Sequence, residues 1–291
     1  MARPRNSVAL AALVCALALT ACSSDLSGSG GSGDVSGPAR PRSSPAPAST
    51  PPVPITYAMP KDVTVLVLPA TGAETRWSQG LDAFAQAVGD ASAHACAQAH
   101  RTALPDRPPP AFIRRAELPD LAFIRRHGFS AVLAPLPYPR GTPTGSASPA
   151  GQRCLRQGED ATRGLRSVYV DTQTAWMREL AKVRTAPTVR EAYRSFAPCL
   201  ARHGITATDE AGLFALADRR LAADRTDADL AIAYATCMAP IEAARSPLRT
   251  RQRDRFIASH RATLQELQRT LPARIHRLEA DLGVRLSFPG G

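Results

Sequence analysis

The chain has 291 residues, 44% of them apolar and 5% aromatic, and a formal net charge of +11. That length and apolar content exclude a wholly disordered chain and allow one large or two small domains. The basic balance points to anionic partners, but lysine occurs only at Lys61 and Lys182, and arginine rich beside Ala and Pro is also the mark of GC-rich coding.

Arg3 and Arg5 precede an apolar run from Val8 to Leu19. The run is a signal-peptide core in length and too short to span a bilayer core of about 30 Å. It ends in Leu19-Thr20-Ala21-Cys22, which resembles the lipobox of bacterial lipoproteins. The resemblance implies that residues 1–21 are a signal peptide and that Cys22 becomes a diacylglyceryl-modified N-terminus. Two acyl chains give a stable anchor, each buried CH₂ contributing about 0.8 kcal/mol. Cys15 leaves with the signal.

Residues 22–56 are Ser/Gly-rich and then Pro-rich. They bury too little apolar area to fold and read as a disordered tether with a reach of about 30 Å. The rest carries about +9, because Arg3 and Arg5 are lost with the signal and Arg40 and Arg42 balance Asp25 and Asp34. Export separates the protein from the chromosome, so nucleic acid is not expected as a partner. The expected partners are the membrane, through the acyl anchor, and anionic envelope polymers or an envelope protein. The expected location is the extracytoplasmic face of the cell membrane.

Residues 57–291 read as an all-α helical bundle, with two disulfide-linked lobes and a possible sub-boundary near residues 132–187. Val63–Pro69, "VTVLVLP", is bounded by turn formers and has no partner strand of equal quality. It reads as a short extended N-terminal arm. Trp77, Leu81, Phe84 and Val88 share one helix face, and that helix runs on through Cys96. Gly128 ends a short helix in "LPDLAFIRRHG". The stretch Val132–Pro149 is Pro/Gly/Ser-rich and marks the internal boundary. Ser148 and Pro149 open a helix through Cys154. Val168, Thr172, Trp176 and Leu180 continue a stripe that breaks near Pro187, and Thr188 with Glu191 has the spacing of a capping box. Phe196, Cys199, Leu200 and His203 follow at helical spacing, with Gly204 as the stop. Thr208 or Asp209 caps the next helix, through Leu213 and Leu216. The last third is the most helical, with Pro240 and Pro247 expected to kink or break it and Pro272 to begin a final short helix. Arg249–Arg255, "RTRQRDR", reads as a solvated face.

Export and an even count once Cys15 and Cys22 are set aside predict two disulfides among Cys96, Cys154, Cys199 and Cys237. Three connectivities are allowed. The sequential one, Cys96–Cys154 and Cys199–Cys237, is preferred because each pair then joins helices within one half of the chain. Cys199 and Cys237 also both lie on core-facing stripes.

The sequence holds no HExxH, GxSxG, Walker A or CxxC motif. Its glycines at Gly28–Gly33 lie in the tether and carry no nucleotide meaning. Cys96 with His94 and His100 has donors at helical spacing, but reads as a disulfide cysteine flanked by surface histidines. His276 with Glu279 reads as a surface pair, and Trp77 and Trp176 as core. The repeated "AFIRR" at Ala111–Arg115 and Ala122–Arg126 reads as coincidence or slippage. No catalytic, cofactor or metal residues are assigned.

The order "LDAFAQAVGDASAHACAQAH", "AELPDLAFIRRHGFS", "GQRCL", "AYRSFAPCLARHGI" and "ADLAIAYATCMAPIEAARSPLRTRQRDRFIASHRATLQEL" resembles a group of uncharacterised actinobacterial secreted lipoproteins. Cys199, Gly204, Asp229, Ala233 and Cys237 hold comparable positions, while Ala235 and Thr236 stand where an aspartate is usual. The resemblance implies an all-α, disulfide-linked envelope protein and brings no activity with it. The function expected is therefore a lipid-anchored, non-enzymatic binding or structural module of the cell envelope. An envelope-acting hydrolase and a small-ligand or metal carrier for a transporter are the alternatives.

Overall fold

A computed structural model describes residues 54–105, 117–129, 148–223 and 227–290. Cys22, the tether up to residue 53, the first AFIRR copy and most of Val132–Pro149 lie outside the described residues.

The fold is an all-α bundle. Its helices are α1 (Gly72–Ala99), α2 (Leu121–His127), α3 (Pro149–Arg166), α4 (Val170–Val183), α5 (Pro187–Tyr193), α6 (Phe196–Arg202), α7 (Glu210–Ala222), α8 (Ala228–Ser259) and α9 (Arg261–Leu282). Two short strands, β1 (Ile55–Thr56) and β2 (Phe288–Pro289), pair antiparallel and bring the start of the described chain to its end. Disulfides join Cys96 to Cys154 and Cys199 to Cys237.

Local chemistry sets many of the boundaries. Thr71 accepts from the Glu74 N–H while the Glu74 carboxylate accepts from the Thr71 N–H, a capping box that opens α1. Ser148 caps α3 with Pro149 in its first turn, and Asp209 caps α7 through the Gly212 N–H. Gly204, at φ 71°, follows α6 in the left-handed region that glycine adopts without steric cost.

Several expectations are corrected. The extended arm expected at Val63–Pro69 does not form, and the short strand β1 lies at Ile55–Thr56, in the last residues of the stretch read as disordered tether. Val63–Leu66 instead forms a 3₁₀ turn, because Asp62 accepts from the Thr64 N–H, and Leu66, Val67 and Leu68 are buried beneath it. α8 runs unbroken through Pro240 and Pro247, and α9 through Pro272. Each proline orphans the carbonyl four residues earlier, at Thr236, Ala243 and Gln268. All three of those residues are exposed, so water satisfies what the helix cannot. The break between the long helices falls at His260, whose ring lies near parallel to Phe256 at 3.9 Å and is 3.0 Å from the Phe256 carbonyl. Thr188 forms no capping box, because α5 starts at Pro187 and leaves Thr188 inside the first turn.

Two large apolar cores result, beside a small cluster of Ala93, Ala97, Leu104 and Cys154. One gathers the 3₁₀ turn, α1, α4, α9 and the end of α8 around Leu81, Trp176, Phe256 and Leu271. The indole of Trp176 donates to the Pro69 carbonyl at 2.8 Å, which satisfies its only polar group. The other gathers α2, α5, α6, α7 and the start of α8 around Phe129, Phe196, Leu200, Tyr234 and Ile241. The cores are not two halves of the chain. The chain passes to the second core at the end of α4, where Val183 already packs on it, yet α2 precedes that point and α9 returns to the first. α8, with 32 residues and a length of about 48 Å, serves both.

α1 and α3 cross with their backbones in contact. A Cβ on Gly158 would lie 2.5 Å from the Gly89 carbonyl oxygen. Gly158→Ala should therefore destabilise the fold by about 1–3 kcal/mol, because a backbone atom must give way and this outweighs the gain of up to about 1 kcal/mol in helix propensity. Gly164→Ala, on the same helix but with only Arg274 Nη2 at 3.9 Å, should be neutral or stabilising. Urea unfolding checks the pair; equal midpoints would contradict the close crossing.

Candidate functional site

Chemistry-bearing side chains concentrate in the second core and along α8. Tyr193 on α5, Glu210 at the start of α7, and Tyr234, Glu242, Arg245 and Arg249 on α8 form one network, with Tyr193 and Glu242 half-buried and the other four buried. The Tyr193 hydroxyl donates to Glu210 Oε2 and accepts from Arg245 Nη2. Tyr234 donates to Glu210 Oε1 at 2.8 Å. Arg245 Nη1 donates to Glu242 Oε1 at 3.0 Å, and Arg249 donates to both Glu242 oxygens and, at 2.7 Å, to the Glu117 carbonyl. Two guanidiniums thus face two carboxylates, and the formal charge cancels.

The electrostatics keep both phenols protonated and Arg245 charged. Burial pushes both phenols above their ordinary value, and the Glu210 carboxylate pushes them further. Burial works against the Arg245 guanidinium, but Tyr193, Glu210 and Glu242 outweigh it and hold its pKa above the ordinary arginine value. Each group already has its partners, so the network fastens α5, α7 and α8 to one another. The same geometry corrects the "RTRQRDR" expectation in part, since Thr250, Arg251, Asp254 and Arg255 are exposed while Arg249 and Arg253 turn inward. Arg249 is 2% exposed, and Arg253, one turn on, pairs with Glu74 at 2.9 Å. These residues face inward because they share the stripe of Arg245 at four-residue steps.

Next to this network lies a group of metal-type donors. The Sγ atoms of Cys199 and Cys237 and a ring nitrogen of His203 all lie within 4.8 Å of one another. Cys199 and His203 stand four apart on α6 and its C-cap, and Cys237 comes from α8. The helical spacing of Cys199 and His203 is visible in the sequence, but it reads there as part of an apolar face. The sequential cysteine pairing brings Cys237, 38 residues away, to Cys199; what the sequence does not show is that the His203 ring lies beside the pair.

At the other end of the protein the disulfide Cys96–Cys154 ties α1 to α3. His94 and His100 form no three-donor group with Cys96 among the described residues. His276 and Glu279 pair at 3.2 Å on the exposed side of α9, where Glu279 also accepts from the Leu286 N–H. Trp176 is core, and Trp77 packs edge-on against Phe288 at 4.6 Å. His127 is buried against Phe123, with no hydrogen bond to either ring nitrogen. Burial first, then Arg126 and Arg76, lower its pKa, with Asp120 opposing. Open clefts of about 410 and 430 Å³ lie over Asp62, Arg261 and Gln265 and over Pro187, Arg190 and Arg194.

No family model, no curated protein and no solved structure matches the chain.

Two outcomes follow from the network. Glu210→Ala should cost about 3–5 kcal/mol, because it leaves Arg245 and Arg249 to share the one carboxylate of Glu242 and takes the acceptor from both tyrosine hydroxyls. A loss under about 1 kcal/mol in urea unfolding, the size of an exposed pair, would contradict the burial. Secondly, a raised phenol pKa contributes stability that is complete below the unfolded value of 10.0 and is lost as pH rises through the higher folded value. Tyr193→Phe should therefore flatten the loss of stability above about pH 10. Parallel curves for variant and parent would overturn the assignment.

Proposed function

We propose that this chain is a lipid-anchored protein of the cell envelope, held at the extracytoplasmic face of the membrane by Cys22 and acting there as a binding or structural module. The observation that carries the reading is the closure of both disulfides in a chain whose first 56 residues have the pattern of signal, lipobox and tether. Paired cysteines belong to oxidising compartments, and this pairing uses every cysteine of the folded part. The order of motifs that resembles actinobacterial secreted lipoproteins points the same way. In this reading the tether enters at β1, which is sewn to β2, so pull on the lipid is borne by a paired strand and not by a helix end.

The partner chemistry in this reading is anionic. Arg153 and Arg156 on α3 and Arg277 on α9 are exposed, and none has a carboxylate partner among the described residues. Such charges act over a Debye length of about 8 Å at physiological ionic strength and favour headgroups or wall polymers close to the tethered domain.

Fractionation of the expressing cell tests the anchor. The parent chain should stay in the membrane fraction through a high-salt wash. Cys22→Ala should appear in the soluble exported fraction or persist as uncleaved precursor. Normal cleavage of that variant with salt-resistant membrane retention would overturn the reading.

A further inference from the structure

We propose that the Cys199–Cys237 disulfide is the oxidised form of a metal site, and that on reduction Cys199, Cys237 and His203 bind one zinc ion.

Three donors already converge. Their ligating atoms lie within 4.8 Å of one another, and the two cysteine Cα atoms are 5.6 Å apart. A tetrahedral zinc with sulfur ligands at about 2.3 Å and nitrogen near 2.0 Å needs donors roughly 3.5–3.8 Å apart. Reaching that spacing requires the two sulfurs to part and the imidazole nitrogen to close in, both changes of side-chain torsion. Cys199 and His203, one helical turn apart, present sulfur and nitrogen on the same side of α6. Among the described residues, this is the cluster in which three such donors meet.

Charge and access fit the ion. Two thiolates and a neutral imidazole around Zn²⁺ give a neutral centre, which suits a position against the apolar side chains of Phe196, Leu200 and Met238. Cys237 is buried and His203 is exposed, so the ion enters from the histidine side. Three protein ligands leave a fourth position open to water or to a group from a partner.

The chemistry balances with a dithiol as reductant. The dithiol gives two electrons and two protons to the disulfide, yielding two thiols and its own cyclic disulfide. Zinc then displaces both thiol protons to solvent and takes a ring nitrogen of neutral His203. In the reverse step a disulfide oxidant takes two electrons from the thiolates and two protons from solvent, becomes a dithiol, and leaves the Cys199–Cys237 bond and a free ion, so occupancy follows the thiol–disulfide balance around the protein.

The test uses the whole chain, purified oxidised and then treated with a dithiol. Zinc is titrated against a chromogenic chelator, and Co²⁺ is added in parallel to read thiolate-to-metal charge transfer. The oxidised chain should bind no zinc at this site. The reduced chain should bind one equivalent and show the Co²⁺–thiolate band. Cys96→Ser with Cys154→Ser should keep both signals. His203→Gln should weaken zinc binding by more than about tenfold, since even loss of a group that merely orients a ligand costs that much. The proposal falls if the reduced chain gives no thiolate band, if His203→Gln leaves the affinity unchanged, or if the signal disappears with Cys96 and Cys154 instead. It also falls if reduction abolishes the helical circular dichroism and zinc does not restore it.

Discussion

Arg245 is 1% exposed, and the geometry of the second core follows from keeping it there. Taking a guanidinium out of water costs several kcal/mol unless carboxylates come with it. Glu242 comes from the same helix, Glu210 from α7, and the Tyr193 hydroxyl from α5. With Arg245 turned inward, the rotation of α8 is set, and Arg249 and Arg253 must fall on the same stripe. Those two meet Glu242 with the Glu117 carbonyl, and Glu74. The apolar stretch from Leu230 to Ile241 lies before this ladder and Phe256 after it. One long helix thus carries two cores with a polar seam between them.

The seam explains how a chain that alternates between cores stays in register. Glu74 both caps α1 and accepts from Arg253, so the first helix of one core is bonded to the shared helix. Asp120 accepts from the Phe123 N–H at the start of α2 and pairs with Arg76 on α1 at 2.8 Å. Asp227, just before α8, accepts from the Phe129 N–H just after α2. Short carboxylates at helix ends therefore do the joining. Each satisfies a backbone donor that its helix or loop would otherwise bury unpaired.

What was legible in the sequence was local. Ser148-Pro149, Asp209 and Gly204 act within a few residues, and they appear where the sequence puts them. The spacing of Trp77, Leu81, Phe84 and Val88 gives α1 its inward face, and the sequential cysteine pairing gives two of the tightest long-range ties. What was not legible depends on partners far along the chain. "RTRQRDR" looks solvated until Glu74, more than 170 residues away, reaches Arg253. Pro240, Pro247 and Pro272 look like breakers until their orphaned carbonyls are seen to face water. Val63–Pro69 has strand composition, but β-branching is a preference for packed, half-buried surfaces, and with no strand beside it the run folds into a capped turn.

The two disulfides also differ in what they hold. Their loops span 58 and 38 residues, and the chain-entropy model gives each about 4 kcal/mol, so loop length does not separate them. Local packing does. Cys96–Cys154 joins helices of 28 and 18 residues whose backbones already touch at Gly89 and Gly158, and there the bond adds to an interface that exists without it. Cys199–Cys237 joins α8 to α6, a helix of only seven residues that buries Phe196 and Leu200 beside the cysteine itself. A helix of two turns is not stable alone. It depends on a crosslink at its centre, and an ion held by the same two sulfurs would supply one, with the sulfurs farther apart than in the bond. A change in the state of sulfur at this position therefore needs a replacement crosslink if α6 is to stay in place, whereas α1 and α3 stay in contact through Gly89 and Gly158 whatever the state of Cys96.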